Sequence, residues 1–481
     1  MRSSHFVFVG CAVAIAIAVA CGGSSSSDSA GATPVENPPG TPPGTPGGPT
    51  PPPAMAVGDP CRGAPVPADQ AHVADGMCAR LVANGLGNVR QMTFASDGTM
   101  FAGSNNGQIY RLHDDDGDGF FAASEIKLYA SFSGGNGNNV SLDESNGFLY
   151  AGYAKGVKRW AWSPTSTSGG TAQDVITDAP SGGNHPLHTV RVWDGYLYVH
   201  SGSSNNASLD SATAAPGDYD DNRALIRRFP LASYTPGTPL AWLSGEIVTQ
   251  GLRNSVGLNR NAKGRMFAVV NGLDDVVHAG VNVHNDNPGE QVLEIAMGKK
   301  YGYPFCFTAQ RVVENGAVIT AGTQLWNQNF GQHDDAWCAT NAAPPATFIQ
   351  AHSAPLDIFF FDVQPMGALP EKYRGGAFIA LHGSWDRQPA TGYKVIWMPF
   401  DASGNATMPT STADATTFPY ETVFGGGTAA AAQDGPWAWQ SDSYSDSPRF
   451  SGVAISPIDG ALYAASDSGG TIYRLGLPKS P

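Results

Sequence analysis

Four acidic residues between positions 114 and 125 have the spacing of a calcium-binding loop. Asp114, Asp116 and Asp118 alternate, Gly119 follows them, and Glu125 ends a stretch of twelve residues. In this D-x-D-x-D-G-x5-E pattern, oxygen ligands surround the ion, the glycine permits a sharp turn, and the last carboxylate binds with both oxygens. We expect a structural calcium site, because no flanking helices support a switching role. An acidic hairpin that is only hydrated is the alternative.

The elements around this loop are short strands that share a sixfold repeat. Runs rich in Val, Ile, Tyr and Phe alternate with clusters of Gly, Asn and Asp, which is a strand-and-turn pattern. A tight turn, one further residue and then apolar residues recur at Asp97-Gly98, Asn146-Gly147, Asp194-Gly195, Lys263-Gly264, Arg374-Gly375 and Asp459-Gly460. Six copies predict an all-β fold, a six-bladed β-propeller over residues 55–481. A pair of β-sandwiches is the alternative, but it gives no reason for a sixfold repeat.

The spacing of these copies indicates where a site would be built. It is uneven, and it is widest between the fourth copy and the fifth. We therefore expect long loops in that part of the chain. Loops at one end of the central channel are where propellers place their functional residues.

The first 54 residues differ in composition from the rest of the chain. An apolar run follows Arg2 and ends at Ala20, which has the length and order of a secretory signal over residues 1–20. The residues before Cys21 resemble a bacterial lipobox, which predicts export and a periplasmic or cell-surface lipoprotein anchored through Cys21; ordinary signal cleavage is the alternative. Residues 21–54 are rich in Ser, Gly, Pro and Thr, so we predict a disordered tether.

Cysteine content and charge exclude some classes of partner. Four of the six cysteines lie beyond residue 21, in two local groups, Cys61 with Cys78 and Cys306 with Cys338. Two disulfides are predicted, and the lack of CxxC spacing argues against zinc. A formal net charge of −14 with only 27 Lys and Arg residues argues against nucleic acid and against a basic lipid-binding face.

From about Val89 to the C-terminus, the chain resembles the glucose/sorbosone dehydrogenase family. The phrases that carry this resemblance, in the family's order, are Gly251-Leu252-Arg253-Asn254-Ser255-Val256-Gly257-Leu258, Tyr301-Gly302-Tyr303-Pro304-Phe305-Cys306, His352-Ser353-Ala354-Pro355-Leu356, and His382-Gly383-Ser384-Trp385-Asp386-Arg387. The His-Gly-Ser-Trp phrase points to the sorbosone-like branch. The resemblance implies a quinoprotein whose six-bladed propeller holds pyrroloquinoline quinone (PQQ) and calcium at one end of the channel.

The resemblance also implies a set of cofactor-binding residues. PQQ is a tricarboxylate with an ortho-quinone, so its pocket needs cations and amide groups. Arg253 is expected to bind a carboxylate with two hydrogen bonds, and Asn254 to hydrogen-bond the quinone. Arg387 and Arg449 are further expected cations, and Trp385 is expected to stack on the flat face of the cofactor. For each residue, a role in a turn, at the surface or in packing is the alternative.

A loop after a strand of the fourth blade is the expected site of the family's catalytic calcium. In the family, backbone carbonyls of this loop hold the ion together with cofactor atoms. The resemblance matches Gly272 and Leu273 to those carbonyls and places Asp274 as a nearby carboxylate. This loop departs from the longer acidic stretch that is common in the family.

Two histidines are candidates for the base. Oxidation of a sugar hydroxyl requires a group that takes the hydroxyl proton, and neutral imidazole suits that role near pH 7. In the family, the histidine lies just before the turn of the third blade, where this chain has His185 and His188. The spacing to Asp194 favours His185. A loop-capping role for either histidine is the alternative.

The implied function is that of an exported sugar dehydrogenase. It would oxidise an aldose, sorbosone or a related sugar with PQQ and calcium, and pass electrons to a membrane quinone or a cytochrome. Two other classes share the architecture: a non-catalytic propeller that binds carbohydrate or protein, and a calcium-dependent lactonase or other hydrolase. Clustered cations in a chain with few basic residues favour the dehydrogenase.

Overall fold

Each repeated turn leads into the second strand of a separate antiparallel sheet in a computed structural model of the protein. Those second strands are Met100–Ser104, Phe148–Tyr153, Tyr196–Ser201, Met266–Asn271, Ala377–Leu381 and Leu462–Ser466. Each one pairs with the strand before it and with a later strand of the same sheet. The six sheets of four or five strands confirm the predicted six-bladed β-propeller.

The structure describes residue 66 and residues 71–132, 141–211, 218–331, 333–362, 368–425 and 448–478. These residues all belong to one compact unit, residues 48–481. The predictions for the signal, the tether, Cys21 and Cys61 concern residues outside this set. Within the described residues, no helix is both long and apolar enough to cross a membrane.

Blades 1 to 3 follow one another along the chain. The strands of blade 1 are Val89–Phe94, Met100–Ser104, Gln108–Leu112 and Ile126–Ser131. Those of blade 2 are Ser141–Ser145, Phe148–Tyr153, Gly156–Ala161 and Gln173–Ile176. Those of blade 3 are Val190–Trp193, Tyr196–Ser201, Leu225–Pro230 and Glu246–Gln250, with Lys299–Lys300 added in parallel at the outer edge.

Blades 4 to 6 receive strands from distant parts of the chain. Blade 4 contains Asn254–Arg260, Met266–Asn271, Glu290–Ile295 and Thr347–Ile349. Blade 5 contains Pro355–Phe360, Ala377–Leu381, Lys394–Met398, Glu421–Gly425 and, outermost, His72–Val73. Blade 6 contains Phe450–Ile455, Leu462–Ser466, Thr471–Gly476 and, outermost, Cys78–Ala83. Because that last strand comes from the start of the described chain, it closes the ring by hydrogen bonds to the final strand.

The hydrophobic core lies between neighbouring blades. Six apolar clusters each combine residues of two adjacent blades. In blade 1, Met100 packs against blade 6, whereas the next residue, Phe101, packs against blade 2. Successive side chains of a strand point to opposite faces, so a strand between two blades must be apolar on both. This requirement explains the consecutive apolar residues that follow each repeated turn.

Polar side chains cross the central channel. The first strands of the six blades contact one another in a closed ring. Across this ring, Gln91 of blade 1 donates from Nε2 to the Val256 carbonyl of blade 4 at 3.1 Å. Arg191 of blade 3 lies 3.6 Å from Asp357 of blade 5, measured from Nη2 to Oδ1. The channel is therefore bridged by hydrogen bonds and an ion pair as well as by apolar contacts.

The long interval predicted between the fourth and fifth turns contains a separate insertion. It holds the helix Asp335–Asn341 and two short hairpins, Cys306–Thr308 with Gln324–Trp326 and Val313–Glu314 with Ala317–Val318. The disulfide between Cys306 and Cys338 confirms one predicted pair. Cys78 is also disulfide-bonded, and its predicted partner Cys61 lies outside the described residues.

The remaining short elements lie in loops. Two further hairpins are Val277–His278 with Val281–Asn282 and Thr410–Ser411 with Thr416–Thr417. The 3₁₀ helices are Leu231–Ser233, Trp242–Ser244, His284–Asp286 and Glu371–Tyr373. The hairpin and the 3₁₀ helix of blade 4 extend the loop that follows its second strand.

Candidate active site

A polar cavity of about 320 Å³ opens at the end of the propeller where the inner strands begin. Arg90 and Asn254 lie at the start of the inner strands of blades 1 and 4, and Arg449 directly precedes that of blade 6. The second strands run in the opposite direction and end on the same side. Asn271 and His382, at the ends of two such strands, therefore also reach the cavity. The repeated turns lie at the other end of the propeller.

The structure brings most of the predicted site residues together in this cavity. The predicted residues that line it are His185, Arg253, Asn254, Gly272, Asp274, Trp385 and Arg449. His188, Leu273 and Arg387 do not line it. The predicted acidic loop does not line it either.

His185 is held as a neutral base. Its Nδ1 lies 3.1 Å from the Ser203 carbonyl oxygen and 2.9 Å from Ser203 Oγ, which itself donates to the Asn205 carbonyl. Nδ1 therefore carries the proton and donates it, which leaves the lone pair on Nε2. Burial, followed by the positive charge of Arg253, lowers the pKa of His185 to about 3. The imidazole is accordingly neutral at pH 7 and available as a proton acceptor.

His188, the alternative base, has no access to the cavity. Its side chain is fully buried, and Nδ1 lies 2.9 Å from the His200 carbonyl oxygen. Its ring packs against Trp242 at 5.8 Å. Burial lowers the pKa of His188 to about 4. Of the two predicted histidines, His185 lines the cavity and His188 does not, so the geometry favours His185 as the base.

Arg253 and Asn254 are oriented from behind the cavity. Arg253 donates from Nε to the Asn206 carbonyl at 3.1 Å and from Nη2 to Asp274 Oδ2 at 2.8 Å. Asn254 donates from Nδ2 to Asn271 Oδ1 at 3.0 Å, so the Oδ1 of Asn254 points away from Asn271. That oxygen is buried and has no hydrogen-bond partner among the described residues. An unpaired polar atom in a lined cavity indicates a place for a donor from a ligand.

A second cationic group, which sequence reasoning found only in part, lies on the walls formed by blades 1, 5 and 6. Asp467 accepts from Arg90 and, at 2.9 Å, from His382 Nε2. Arg449 donates from Nη2 to His382 Nδ1 at 2.7 Å. Burial lowers the pKa of His382 to about 4, so this imidazole is neutral and links two arginines through hydrogen bonds. Arg90 and His382 were missed because their strands are far apart in the chain.

The predicted metal loop is supported by a buried carboxyl group. Glu290 accepts from the Gly272 backbone N–H at 2.6 Å and from that of Ala354 at 3.2 Å. Burial raises the pKa of Glu290 to about 8. The side chain of Leu273 is buried in an apolar cluster, so only its carbonyl is available to an ion. Sequence reasoning missed Glu290, because its distance from Gly272 in the chain hides the contact.

Arg387 contacts the backbone of neighbouring loops. It donates to the carbonyl oxygens of Asn285 and Pro389, at 3.0 and 2.7 Å, and lies 3.3 Å from Asp286. These contacts join two loops and use three of its five N–H donors. Arg387 does not line the cavity, and its binding of a cofactor stays a prediction.

Trp385 lies at the rim of the cavity. Its side chain is 68% exposed. A tryptophan so open to solvent is not packed against the protein, which leaves its ring available to a ligand. Stacking of Trp385 on a cofactor therefore stays a prediction.

The acidic loop lies at the opposite end of the propeller. The carboxylates of Asp114, Asp116 and Asp118 converge, with ligand oxygens within 4.8 Å of one another. Glu125 accepts from the backbone N–H groups of Asp115 and Ala122, each at 2.7 Å. Both oxygens of Glu125 thus hold the loop in its turn, and calcium binding here stays a prediction.

Comparisons with known proteins begin with the sequence. A sequence model of the TrAA12-like family matches residues 71–477. The pyrroloquinoline quinone-dependent pyranose dehydrogenase of Coprinopsis cinerea is 27% identical over 360 residues, which cover 72% of this chain and 47% of that protein. The pyrroloquinoline quinone-dependent sugar dehydrogenase of Hypocrea jecorina is 28% identical over 362 residues, 72% of this chain and 78% of that protein.

One solved structure extends the comparison to the fold. The calcium structure of the Trichoderma reesei Carbohydrate-Active Enzymes Family AA12 protein has a TM-score of 0.69 and 25% identity, covering 86% of this chain and 98% of that one. The chain spans about half the length of its Coprinopsis relative. The family match covers nearly the whole described propeller, including every residue of the cavity. The chain therefore belongs to the TrAA12-like family.

Proposed function

We propose that the protein is a dehydrogenase that oxidises a hydroxyl group of a pyranose or related sugar with PQQ bound in the cavity. The observation that carries this proposal is the neutral base His185 in the same cavity as Arg253 and Asn254. A base and fixed cations at one channel end suit the oxidation of a neutral substrate by an anionic cofactor. The names of the two curated relatives support the same chemistry.

The residues of the cavity fit the cofactor. Three arginines, Arg90, Arg253 and Arg449, line it and offer charge to three carboxylates. The unpaired Oδ1 of Asn254 can accept from a ring N–H, and the cavity volume of about 320 Å³ suits a ligand of this size. Bound there, PQQ would supply the two-electron acceptor that side chains lack.

His185 would take the proton of the substrate hydroxyl at Nε2. In the protein alone, the nearby charge of Arg253 opposes protonation of the ring. A polyanionic cofactor beside Arg253 would offset that charge, so the ring becomes a stronger base when the site is loaded. Ser203 keeps the ring in the required tautomer throughout, because it accepts from Nδ1.

Calcium and cellular location belong to the same proposal. We place a calcium ion at the carbonyl oxygens of Gly272 and Leu273, with Asp274 nearby, and a structural calcium ion in the acidic loop. Sorbosone and aldoses are the substrate candidates. The apolar N-terminal run and Cys21 support export and a lipid anchor. A membrane quinone or a cytochrome is then the electron acceptor that an anchored dehydrogenase would meet.

Reconstitution tests the proposed function. The purified protein is supplied with PQQ and calcium, and dye reduction is followed with aldoses, sorbosone and simple alcohols. Sugar-dependent, chelator-sensitive reduction is expected. Absence of both bound-quinone absorbance and dye reduction would favour the carbohydrate-binding propeller. Lactone hydrolysis without quinone would favour the hydrolase.

A substitution of the base tests the assignment of His185. His185→Asn should lower turnover by about 100-fold or more, because it removes the proton acceptor. PQQ affinity, measured by absorbance titration, should change little. His333→Asn is the control, since His333 stacks on Trp337 in the insertion and does not line the cavity. Full turnover in the His185 variant would refute the assignment.

A further inference from the structure

A group of metal-ligand side chains lies at the edge of the cavity and has no part in the proposed reaction. It consists of His284, His352 and Asp386, whose ligand atoms lie within 4.8 Å of one another. His352 and Asp386 line the cavity, and they come from loops of blades 4 and 5. Three separate loops thus bring two imidazoles and a carboxylate to one point.

His352 presents a lone pair to this point. Its Nε2 lies 2.7 Å from the His284 carbonyl oxygen and 3.0 Å from that of Asn287. Carbonyl oxygens only accept, so Nε2 carries the proton and Nδ1 carries the lone pair. Nδ1 forms no hydrogen bond with any described residue, and the side chain is only 5% exposed. Donation of the second ring N–H to carbonyl oxygens is the usual support of a metal-bound histidine.

Asp386 faces that lone pair without a donor between them. Both of its carboxylate oxygens are buried and have no hydrogen-bond partner among the described residues. Oδ1 lies 3.7 Å from His352 Nδ1, which is too long for a hydrogen bond. The carboxyl group of Asp274 lies beside that of Asp386. Electron-rich groups that face each other in a buried place are stabilised by a proton or by a metal cation between them.

His284 supports Asp386 and is not itself a ligand. Its Nδ1 accepts from the Asp275 backbone N–H at 3.0 Å, so Nε2 carries the ring proton. That Nε2 lies 3.3 Å from the Asp386 carbonyl oxygen and 3.6 Å from Asp386 Oδ2. The available ligands are therefore His352 Nδ1 and the Asp386 carboxylate, with the Asp274 carboxylate nearby.

The spacing fits a metal ion better than a proton. Two ligands of a tetrahedral ion with bonds of about 2.0–2.2 Å lie roughly 3.3–3.6 Å apart, close to the observed 3.7 Å. Calcium prefers oxygen ligands, whereas imidazole suits zinc and its neighbours in the first row.

We propose that His352 Nδ1 and the Asp386 carboxylate bind a first-row transition-metal dication, distinct from a calcium ion at Gly272 and Leu273. Water completes its coordination from the cavity side. The ion neutralises the Asp386 carboxylate and adds positive charge to a wall of the cavity. This inference does not depend on the proposed dehydrogenase function, because metal binding is measured without PQQ or sugar.

Cobalt titration tests the proposal. The full protein is stripped with a chelator, and Co²⁺ is added while visible absorption bands of bound cobalt are recorded. One equivalent should bind with nitrogen in its coordination sphere, and millimolar calcium should not displace it. His352→Gln, which keeps an N–H donor but lacks the imidazole lone pair, and Asp386→Asn should each weaken binding at least tenfold. His333→Gln, outside the cavity, is the matched control and should leave binding unchanged.

The outcomes separate the possible cations. Equal cobalt affinity in the native protein and in a correctly folded Asp386→Asn or His352→Gln variant would overturn the proposal. Displacement of cobalt by an equal concentration of calcium would also overturn the proposal. In that case, the site at His352 and Asp386 would belong to the calcium site of Gly272 and Leu273. Circular dichroism shows whether each variant is folded. If the His352 variant does not fold, the cobalt affinity of the Asp386 variant decides the test.

Discussion

Arg191 and Asp357 form a buried ion pair in the channel, and its loss should destabilise the propeller strongly. Arg191 Nη2 lies 3.6 Å from Asp357 Oδ1, with side chains 8% and 1% exposed. Arg191 also donates to the Leu142 carbonyl at 3.0 Å, and Asp357 accepts from the Val453 N–H at 3.1 Å. The pair therefore joins the inner strands of blades 2, 3, 5 and 6.

The magnitude follows from burial. Arg191→Met leaves the Asp357 carboxylate without its cation, which costs about 3–5 kcal/mol. Asp357 accepts from the backbone N–H groups of Val453 and Ile358, and Asp357→Asn keeps one acceptor oxygen for these two donors. This change should therefore cost less, about 1–3 kcal/mol. With an unfolding entropy of about 2.1 cal/mol/K per residue over roughly 400 residues, a loss of about 3–5 kcal/mol lowers Tm by about 4–6 °C.

The same pair predicts a pH dependence of stability. Burial raises the pKa of Asp357 to about 6, although Arg191 opposes this rise. The folded state therefore binds this proton more tightly than the unfolded chain does. The stabilising contribution is full below about pH 4 and is lost as the pH rises through 6, by about 3 kcal/mol. Asp357→Asn should remove this part of the pH slope.

Thermal unfolding of four proteins provides the assay. The native chain, the two single variants and Arg191→Met/Asp357→Asn form a double-mutant cycle, read by circular dichroism at pH 7 and pH 4.5. The double variant should lose at least about 1 kcal/mol less than the sum of the singles. Asp194→Asn is the control, because its pair with Arg260 at 2.9 Å is exposed and should be worth under about 1 kcal/mol. Losses that add within about 0.5 kcal/mol would refute the reasoning.

Three further predictions concern the site, the acidic loop and the insertion. The pKa of His185, about 3 in the protein alone, should rise when PQQ binds, as measured by nitrogen NMR; an unchanged pKa would place the cofactor away from Arg253. Without PQQ, calcium at 100 times the Kd of the acidic loop should raise Tm by about 3 °C, and Asp116→Asn should remove this contribution of the loop; an equal rise in the variant would move the ion elsewhere. Cys338→Ser should destabilise the insertion by about 3–4 kcal/mol, given the sequence separation of 32 between its cysteines, and expose it to proteolysis; unchanged protease resistance would contradict this.

Much of the fold could be predicted because its signals are local. Each turn such as Asp97-Gly98 lies next to its strand in the chain, and apolar residues on both faces follow from packing between two blades. The outer strand Cys78–Ala83 of blade 6 could not be predicted in the same way, because its partner Thr471–Gly476 lies at the other end of the chain. Closure of the ring depends on that long-range pairing.

The candidate site was predictable where a short sequence motif contains the functional residues. Arg253 and Asn254 are adjacent in the chain, and both line the cavity. Arg387 belongs to an equally recognisable sequence motif, yet it donates to the backbone of neighbouring loops and does not line the cavity. A sequence motif shows which residues are present, whereas the contacts of a side chain depend on the loops that surround it.

The sequence by itself determined the number of blades, the residues that follow each turn, and the adjacent Arg-Asn pair, since all of these arise from neighbours along the chain. Only the tertiary structure decided between His185 and His188, which differ in burial and not in chemistry. It alone united Arg90, His382 and Arg449 around Asp467, and His352 with Asp386. Hydrogen-bond partners and local dielectric set tautomer and charge, and both depend on residues that folding brings together from distant blades.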